Sequence, residues 1–216
     1  RGRPALRLVC LSDTHTLHSR VKVPDGDVLI HAGDFTKRGS HEDVERFNAF
    51  LGRQPHRHKV IIAGNHDFCF EDDRAAAQAL ITNARYLQDE ALEIEGLLLY
   101  GSPWQPRFFD WAFNLDRGAP LRAKWDLIPA DTDVLITHGP PFGHGDRCDD
   151  GRRVGCEELL LALQRVRPRV HVFGHIHEGY GQTELRHDGG QRTLCVNASS
   201  CDVRYRAVNA PLVIDL

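Results

Sequence analysis

The sequence predicts an α/β fold with mixed sheets, because short apolar runs alternate along the chain with stretches of helical periodicity. The apolar runs are rich in Val, Ile and Leu and are flanked by Gly, Pro or Asp, which is typical of buried strands. The predicted strands are Leu6–Leu11, Val28–Ile30, Val60–Ala63, Leu97–Tyr100, Val134–Thr137, Val170–Phe173, Thr193–Val196 and Leu212–Ile214. Alternation of strands with helices indicates a substantial parallel component.

Four helices are predicted between these strands. Ser40 and Asp43 resemble a capping box, and the apolar side chains between Val44 and Leu51 share one helical face. Pro120 favours the first turn of a later helix, where its missing N–H is tolerated. This later helix covers Leu121–Leu127, and the other two predicted helices are Asp72–Ala84 and Glu157–Val166.

One domain is predicted over residues 1–216, because no repeat, low-complexity tract or linker divides the chain. Hydrophobic residues make up 41% and charged residues 26% of the sequence, which is typical of globular proteins. Near the C-terminus, the segment His187–Gly190 predicts a hairpin turn between two strands. That end of the chain is therefore expected to be antiparallel.

Composition and charge exclude several classes of protein. The longest apolar run, Leu159–Leu163, is far shorter than the roughly 20 residues that span a bilayer, and no apolar stretch follows the basic start Arg1–Arg3. The net charge of −3 argues against dedicated nucleic-acid binding. Six cysteines without a Cys-x-x-Cys pair predict free thiols in a reducing compartment, so a cytoplasmic location without membrane contact is expected.

Residue types that bind metal ions follow five of the predicted strands. In order along the chain they are Asp13 and His15, then Asp34, then Asn65, His66 and Asp67, then His138, and finally His175 and His177. Ligands of open α/β sheets bind outside the carboxyl ends of the strands, so these side chains are expected at one edge. Each motif alone is common in turns, helix caps or surface pairs, but five in succession indicate a metal site.

The ligand types narrow the choice of metal. Carboxylate, amide oxygen and imidazole without thiolate favour Mn, Fe, Zn, Co or Ni over Ca or Mg. Even without His66 and Asp67, the seven remaining candidate ligands exceed the four that one tetrahedral ion takes. Two divalent ions that share one carboxylate are therefore predicted, with Mn²⁺ as the first choice.

These motifs resemble the signature of the calcineurin-like metallophosphoesterases, which is Asp-x-His, Gly-Asp, Gly-Asn-His-Asp/Glu, His and Gly-His-x-His. The segments Gly101–Pro106, Trp111–Asn114, Gly174–Gly181 and Asn197–Cys201 are similar to the metallophosphoesterase-domain-containing branch that hydrolyses cyclic nucleotides. The resemblance implies a four-layer αββα sandwich with a di-metal site at the carboxyl ends of the strands. Periodicity alone predicts only an α/β fold.

The resemblance also implies a role for each motif residue. The first ion would be held by Asp13, His15, Asp34 and His177. The second would be held by Asp34, Asn65, His138 and His175, which makes Asp34 the bridge. His66 would be a catalytic acid and not a ligand, and Asp67 would orient its ring.

The implied activity is hydrolysis of small phosphodiesters, with 2′,3′- or 3′,5′-cyclic nucleotides as substrates, by attack of a hydroxide shared by the two ions. His66 would protonate the leaving oxygen. Three further residues are candidates for substrate contact. His144 lies in a turn-rich segment, and Arg107 and Phe108 could frame a nucleobase.

Two alternatives remain open. A phosphomonoesterase, nuclease or protein phosphatase of the same superfamily is less favoured, because the short chain leaves little room for an added substrate-binding domain. A non-catalytic scaffold, as in metallophosphoesterase-like subunits of trafficking coats, typically lacks site residues. No motif residue is missing from this sequence, and His66 is present.

Overall fold

The computed structural model describes residues 6–216, which form thirteen strands and five α-helices. The strands are β1 (Arg7–Leu11), β2 (Val28–His31), β3 (His58–Ile61), β4 (Arg85–Tyr86), β5 (Glu90–Ile94), β6 (Leu97–Ser102), β7 (Gln105–Pro106), β8 (Asn114–Leu115), β9 (Val134–Thr137), β10 (Val170–Phe173), β11 (Gly181–Arg186), β12 (Arg192–Asn197) and β13 (Leu212–Asp215). The helices are α1 (His41–Gly52), α2 (Cys69–Asp72), α3 (Arg74–Ala79), α4 (Ala119–Trp125) and α5 (Glu157–Val166). Short 3₁₀ turns cover His18–Arg20 and His177–Gly179.

Two mixed sheets contain most of the strands. The first has the order β13-β1-β2-β3-β4, in which only β13 is antiparallel to its neighbour. The second has the order β11-β12-β10-β9-β6-β5, with four parallel inner strands and an antiparallel strand at each edge. The strands β7 and β8 form a separate parallel pair. The predicted mixed α/β architecture is confirmed.

The sheets pack face to face because successive side chains of a strand point to opposite faces. Leu8 of β1 shares a buried cluster with Ile136 of β9, and this cluster fills the space between the sheets. The adjacent Val9 packs instead with α1, α2 and α3. The adjacent Leu135 packs with α4 and α5 on the other side. The order of layers is therefore helix, sheet, sheet, helix, as the family resemblance implied.

Local signals position three of the helices correctly. Ser40 Oγ accepts a hydrogen bond from the backbone N–H of Asp43 at 3.2 Å, so α1 begins where the capping pattern predicts. Pro120 lies in the first turn of α4, although that helix ends at Trp125 and not at Leu127. The bounds of α5 coincide with the predicted helix.

The prediction of one long Ala-rich helix over Asp72–Ala84 is wrong. The segment forms the two short helices α2 and α3, and the second ends at Ala79. The break falls at Asp73, whose carboxylate accepts a hydrogen bond from the backbone N–H of Ala76 at 3.1 Å. An Asp in this position starts a new helix with non-helical backbone angles and so cannot continue the previous one.

The predicted hairpin near the C-terminus is present, since β11 and β12 pair in antiparallel fashion, although β12 also pairs in parallel with β10. The hairpin between β11 and β12 turns at Asp188–Gly190, and Gly189 and Gly190 have positive φ angles of 87° and 84°.

All six cysteines are free, and Cys148 alone is partly exposed while the others are buried. Within residues 6–216, we find no helix with the length and apolar character needed to cross a membrane.

Buried neutral histidines make the stability of the fold sensitive to acid. His171 of β10 is fully buried, and its Nε2 lies 2.8 Å from Thr137 Oγ1. Burial lowers the pKa of His171 to about 3, against about 6.5 in an unfolded chain. Below about pH 6.5 the unfolded chain therefore binds a proton that the folded chain does not, and the free energy of unfolding decreases as the pH falls towards 3.

We expect His171→Gln to reduce the loss of unfolding free energy between pH 7.5 and pH 5 by about 2 kcal/mol. Urea denaturation of the wild type and the variant at both pH values measures this difference. The variant His41→Gln, at an exposed position of α1, serves as the control and should keep the wild-type pH dependence. An unchanged pH dependence in His171→Gln would contradict the assignment of a neutral buried ring.

Candidate metal centre

Side chains from both sheets meet at one edge of the sandwich. The strands β1, β2 and β3 contribute the residues that follow them, and β9 and β10 do so from the facing sheet. In three overlapping groups, the potential ligand atoms lie within 4.8 Å of one another. These groups are Asp13, His15 and His177, then His15, Asp34 and His66, and finally Asp34, His138 and His175.

The backbone at these strand ends is unusual. Four of the converging residues have positive φ angles, namely Asp13 (51°), His15 (40°), Asp34 (59°) and His175 (67°). Non-glycine residues rarely adopt this conformation, and it is concentrated at functional sites where the surrounding structure enforces it. Here the loops enforce it on each other, because the N–H of His15 donates to the carbonyl of Asp34 at 3.0 Å.

Two glycines allow the loops to approach this closely. A Cβ atom at Gly64 would overlap Asp34 Oδ1, and a Cβ atom at Gly174 would overlap Asp13 Oδ2. The only side chain that fits at either position is therefore a hydrogen atom. Both glycines belong to the motifs that the sequence analysis identified.

We expect Gly64→Ala to displace the Asp34 carboxylate, to weaken metal uptake and to reduce stability by about 1–3 kcal/mol. Gly139→Ala is the matched control, because its Cβ would lie 3.6 Å from Gln105 Cβ, which is an ordinary contact beside the same site. Calorimetric melting and isothermal titration with Mn²⁺ measure both effects. Wild-type melting and metal uptake in Gly64→Ala would contradict this account.

Asp34 is the carboxylate that faces both sides of the centre. Its Oδ2 atom lies 3.3 Å from His138 Nε2, 3.9 Å from His66 Nε2 and 4.0 Å from His15 Nε2. Its Oδ1 atom accepts a hydrogen bond from the backbone N–H of His66 at 2.8 Å. This arrangement fits a carboxylate that is shared by two ions.

Backbone carbonyls orient two of the imidazoles. His138 Nδ1 lies 2.9 Å from the carbonyl oxygen of Ala32, and His177 Nδ1 lies 2.9 Å from that of Asp202. A carbonyl only accepts, so Nδ1 carries a hydrogen, and Nε2 presents a lone pair to the centre when it does not itself carry a proton. His138 Nε2 is then 2.8 Å from the acceptor Asn65 Oδ1. Facing lone pairs require a cation or a proton between them, so the residues fit a metal ion.

The ionisation of the site leads to the same conclusion. Burial opposes the ionisation of Asp13 and Asp34, but neighbouring histidines outweigh it and hold the pKa of each carboxyl below its usual range. Burial likewise opposes protonation of His138 and His177, but Asp34 and Asp13 respectively raise the pKa of these two rings to about 9. The centre therefore attracts positive charge, which a divalent ion supplies more fully than protons do.

The other two rings are neutral. Burial lowers the pKa of His15 to about 4 and that of His175 to about 3. A neutral imidazole is the form that binds metal ions. Both rings are therefore available as ligands near pH 7.

His66 lies at the rim of the centre. Its Nδ1 is 2.8 Å from the carbonyl oxygen of Lys37, and its ring packs on Trp111 with the ring centroids 4.2 Å apart. The guanidinium carbon of Arg38 lies 5.4 Å from the centroid of the Trp111 ring. With Nδ1 fixed by the carbonyl, Nε2 is the nitrogen that faces Asp34 and the centre.

The expected contact between Asp67 and the His66 ring is wrong. The Asp67 carboxylate accepts hydrogen bonds from the backbone N–H groups of Asp34 at 2.8 Å, Gly64 at 2.9 Å and Thr36 at 2.9 Å, and from Thr36 Oγ1 at 2.7 Å. It therefore ties together the loops after β2 and β3. The Asp67 carboxylate therefore does not contact the His66 imidazole, which is oriented by the Lys37 carbonyl instead.

A cavity of about 440 Å³ opens above the centre. Arg107 and Phe108, two candidates for substrate contact, line it, and the Phe108 ring centroid is 6.0 Å from that of His175. His144, the third candidate for substrate contact, does not line this cavity. Its Nδ1 lies 3.0 Å from Thr183 Oγ1 of β11, so the loop directs the ring towards the edge strand.

Among the residues that line this cavity and that the sequence analysis missed are Trp111, Arg117 and Tyr205. Trp111 lies within a segment that the resemblance includes, but no motif spacing connects it with His66. Tyr205 follows β12, beyond the last motif, and reaches the site only through the packing of a loop. Arg117 is held by the carbonyls of Val154 and Gly155, both at 2.9 Å.

A two-sheet fold with oxygen and imidazole donors around a shared carboxylate is typical of metal-dependent hydrolases. Residues 6–179 match the model of the family described as calcineurin-like phosphoesterase, and the chain belongs to this family. The sequence-based identification is confirmed. Family membership supports a metal-dependent phosphoester hydrolase, and the family usually uses a di-metal centre.

Two relatives and one solved structure illustrate these similarities. Metallophosphoesterase domain-containing protein 1 of Homo sapiens is 48% identical over 235 residues, covering 97% of this chain and 71% of that protein. UPF0046 protein T07D4.2 of Caenorhabditis elegans is 43% identical, covering 98% of this chain and 60% of that protein. The crystal structure of TT1561 of Thermus thermophilus has a TM-score of 0.60 at 15% identity over 98% of both chains, and it shows the same fold.

Proposed function

We propose that this protein is a di-metal phosphodiesterase that hydrolyses small phosphodiesters, with cyclic nucleotides as the preferred class. The observation that carries the proposal is the position of Asp34. Its carboxylate lies between two groups of donor atoms at the cavity, with His66 beside it. A phosphoryl group bound there would contact both groups of donors and the His66 ring.

The proposed ligands follow the two groups of donors. Asp13, His15, Asp34 and His177 would hold one ion, and Asp34, Asn65, His138 and His175 would hold the other, with Mn²⁺ as the first choice. When bound, the two ions would polarise the phosphoryl oxygens and activate water. The Ala32 and Asp202 carbonyls keep the ligating nitrogens of His138 and His177 directed at the centre.

His66 is the proposed general acid. The hydrogen bond from Nδ1 to the Lys37 carbonyl keeps a hydrogen on that atom, so Nε2 is the nitrogen that transfers a proton to the leaving oxygen. Trp111 packs on the ring and restricts its rotation. Asp67 contributes indirectly, because its hydrogen bonds fix the backbone that carries Asp34 and His66.

The size and lining of the cavity support a small substrate. A volume of about 440 Å³ suits a single nucleotide. Phe108 is 49% exposed beside the His175 ring and offers a face for a nucleobase. The free thiols support a reducing, cytoplasmic location, which is part of this proposal.

We expect the Mn²⁺-loaded protein to hydrolyse bis-(4-nitrophenyl) phosphate much faster than 4-nitrophenyl phosphate, and to hydrolyse at least one of the 2′,3′- and 3′,5′-cyclic nucleotides. Dialysis against a chelator should abolish turnover, and added Mn²⁺ should restore it. Steady-state assays on this panel measure both effects.

Each contrary result has a definite meaning. Monoester turnover far above diester turnover would identify a phosphomonoesterase. Turnover of oligonucleotides but not of cyclic nucleotides would identify a nuclease. Absence of any metal-dependent turnover would favour a scaffold.

A further inference from the structure

Tyr205 forms an aromatic wall on one side of the centre. Its ring centroid lies 4.8 Å from that of His15, 5.6 Å from that of His177 and 6.2 Å from that of His66. The side chain lines the cavity and is 51% exposed, so much of the ring remains free for a ligand. We propose that Tyr205 is the platform on which the leaving group of the phosphodiester stacks.

The backbone around Tyr205 supports a functional role. Tyr205 has a φ angle of 55°, a conformation that a bulky residue rarely adopts without constraint. The constraint comes from Asp202, whose carbonyl accepts a hydrogen bond from the Tyr205 N–H at 2.9 Å. Its carboxylate accepts hydrogen bonds from the backbone N–H groups of Arg204 at 3.0 Å and Arg206 at 2.9 Å. The loop thus holds the ring over the site.

The position of His66 assigns Tyr205 to the leaving group, and this step rests on the proposed function. In hydrolysis, a water molecule loses a proton to solvent and its oxygen forms a new bond to phosphorus, while the bond to the leaving oxygen breaks on the opposite side. The leaving oxygen takes the proton from His66 Nε2, so the leaving group lies on the His66 side of the centre. Tyr205 is on that side, since its ring contacts that of His66, whereas Phe108 contacts His175, which belongs to the other group of donor atoms.

Tyr205 and Phe108 are therefore expected to contact different parts of the substrate. Tyr205 contacts the group that departs, and Phe108 contacts the group that stays on phosphorus. The rings are similarly exposed, at 51% and 49%, so Phe108 provides a matched control. Trp111 is less suited as a platform, because His66 and Arg38 already pack against its ring.

An unsymmetrical diester tests the assignment. One ester group is phenyl, and the other is a fluoroalkyl group whose alcohol matches phenol in acidity. The ratio of phenol to fluoroalcohol reports which group departs, and hydrolysis of the same compound by hydroxide gives the intrinsic ratio. The ratio counts only molecules that turned over, so it is independent of the fraction of folded enzyme.

We expect the Mn²⁺-loaded wild type to release phenol above the intrinsic ratio. Tyr205→Leu should lower the ratio by about fivefold, the size of a lost aromatic contact. Tyr205→Phe should keep the wild-type ratio, because the ring is retained. Phe108→Leu should not lower it, and all three variants should keep the wild-type metal content by mass spectrometry.

Several outcomes would overturn the inference. These are an unchanged ratio in Tyr205→Leu, an equal fall in Tyr205→Phe, which would assign the effect to the hydroxyl group, and an equal fall in Phe108→Leu. Metal loss in Tyr205→Leu would make the residue a support of the centre and not a platform. Absence of all diester hydrolysis would overturn the proposed function itself, whereas hydrolysis with an unchanged ratio overturns the inference alone.

Discussion

Asp34→Asn is expected to lower the metal content below two ions per chain and to reduce diester hydrolysis by more than about 100-fold. The substitution keeps the size of the side chain and its ability to accept the hydrogen bond from the His66 N–H. It removes the negative charge that faces His138, His15 and His66 at 3.3 to 4.0 Å. The expected effect is thus one of charge and not of shape.

Metal analysis of the purified variant, combined with steady-state kinetics, measures both losses. Asp131→Asn is the control, because this exposed aspartate lies between α4 and β9, away from the cavity lining. A melting curve of the metal-free variant close to that of the wild type would exclude misfolding as the cause. Retention of two tightly bound ions would refute the assignment of Asp34 as the bridge.

His66→Ala is expected to slow the release of alkoxide or nucleoside leaving groups by about 10²- to 10⁴-fold. The release of 4-nitrophenolate should be affected less, because a weakly basic leaving oxygen needs little assistance from an acid. The metal content should remain at two ions, since His66 is proposed to be an acid and not a ligand. The Lys37 carbonyl and Trp111 hold the ring for this task.

The measurement is the ratio of turnover numbers for the two types of ester in the wild type and in His66→Ala. His41→Ala, at an exposed position of α1, removes an imidazole without touching the site and should leave the ratio unchanged. Equal losses for both types of ester would rule out the acid role. Loss of one ion would instead make His66 a ligand, as its grouping with His15 and Asp34 also permits.

The sequence predicts the centre well because its determinants are local. A buried strand followed by Gly and a polar residue places that residue at the sheet edge, and this holds for Asp34 after β2 and for His175 after β10. Once the two sheets pack face to face, strand ends that are far apart in the sequence come together at the same edge. Periodicity did not show that there are two facing sheets, because an apolar strand looks the same in either arrangement.

The errors about the site concern contacts between loops. Asp67 is adjacent to His66 in the sequence, but its carboxylate points to the backbone of the neighbouring loop. The ring of His66 is held by Lys37, a residue 29 positions away, through a carbonyl that every residue possesses. Contacts made by backbone atoms leave no signature in residue type, so sequence patterns cannot identify them.

The sequence analysis did not predict β5, although this strand left a signal in the sequence. In β5, Leu92 and Ile94 point to the buried face, whereas Glu93 between them is exposed. The strand lies at the edge of its sheet, and its glutamates make the segment look less like a buried strand. Glu95 and Gly96 both have positive φ angles, of 50° and 79°, and turn the chain into β6. The Glu-Gly pair before Leu97 is a weaker hairpin signal than Asn-Gly or Asp-Gly.

The residues of the centre come from two sheets that touch elsewhere mainly through apolar side chains. Asp13, His15 and Asp34 follow strands of one sheet, whereas His138 and His175 follow strands of the other. An ion bound by residues of both groups would link the two sheets to each other. Its binding energy adds to the resistance of the sheets against separation, as for any ligand that binds only the folded state. Added metal is therefore expected to raise the free energy of unfolding as well as to support the proposed hydrolysis.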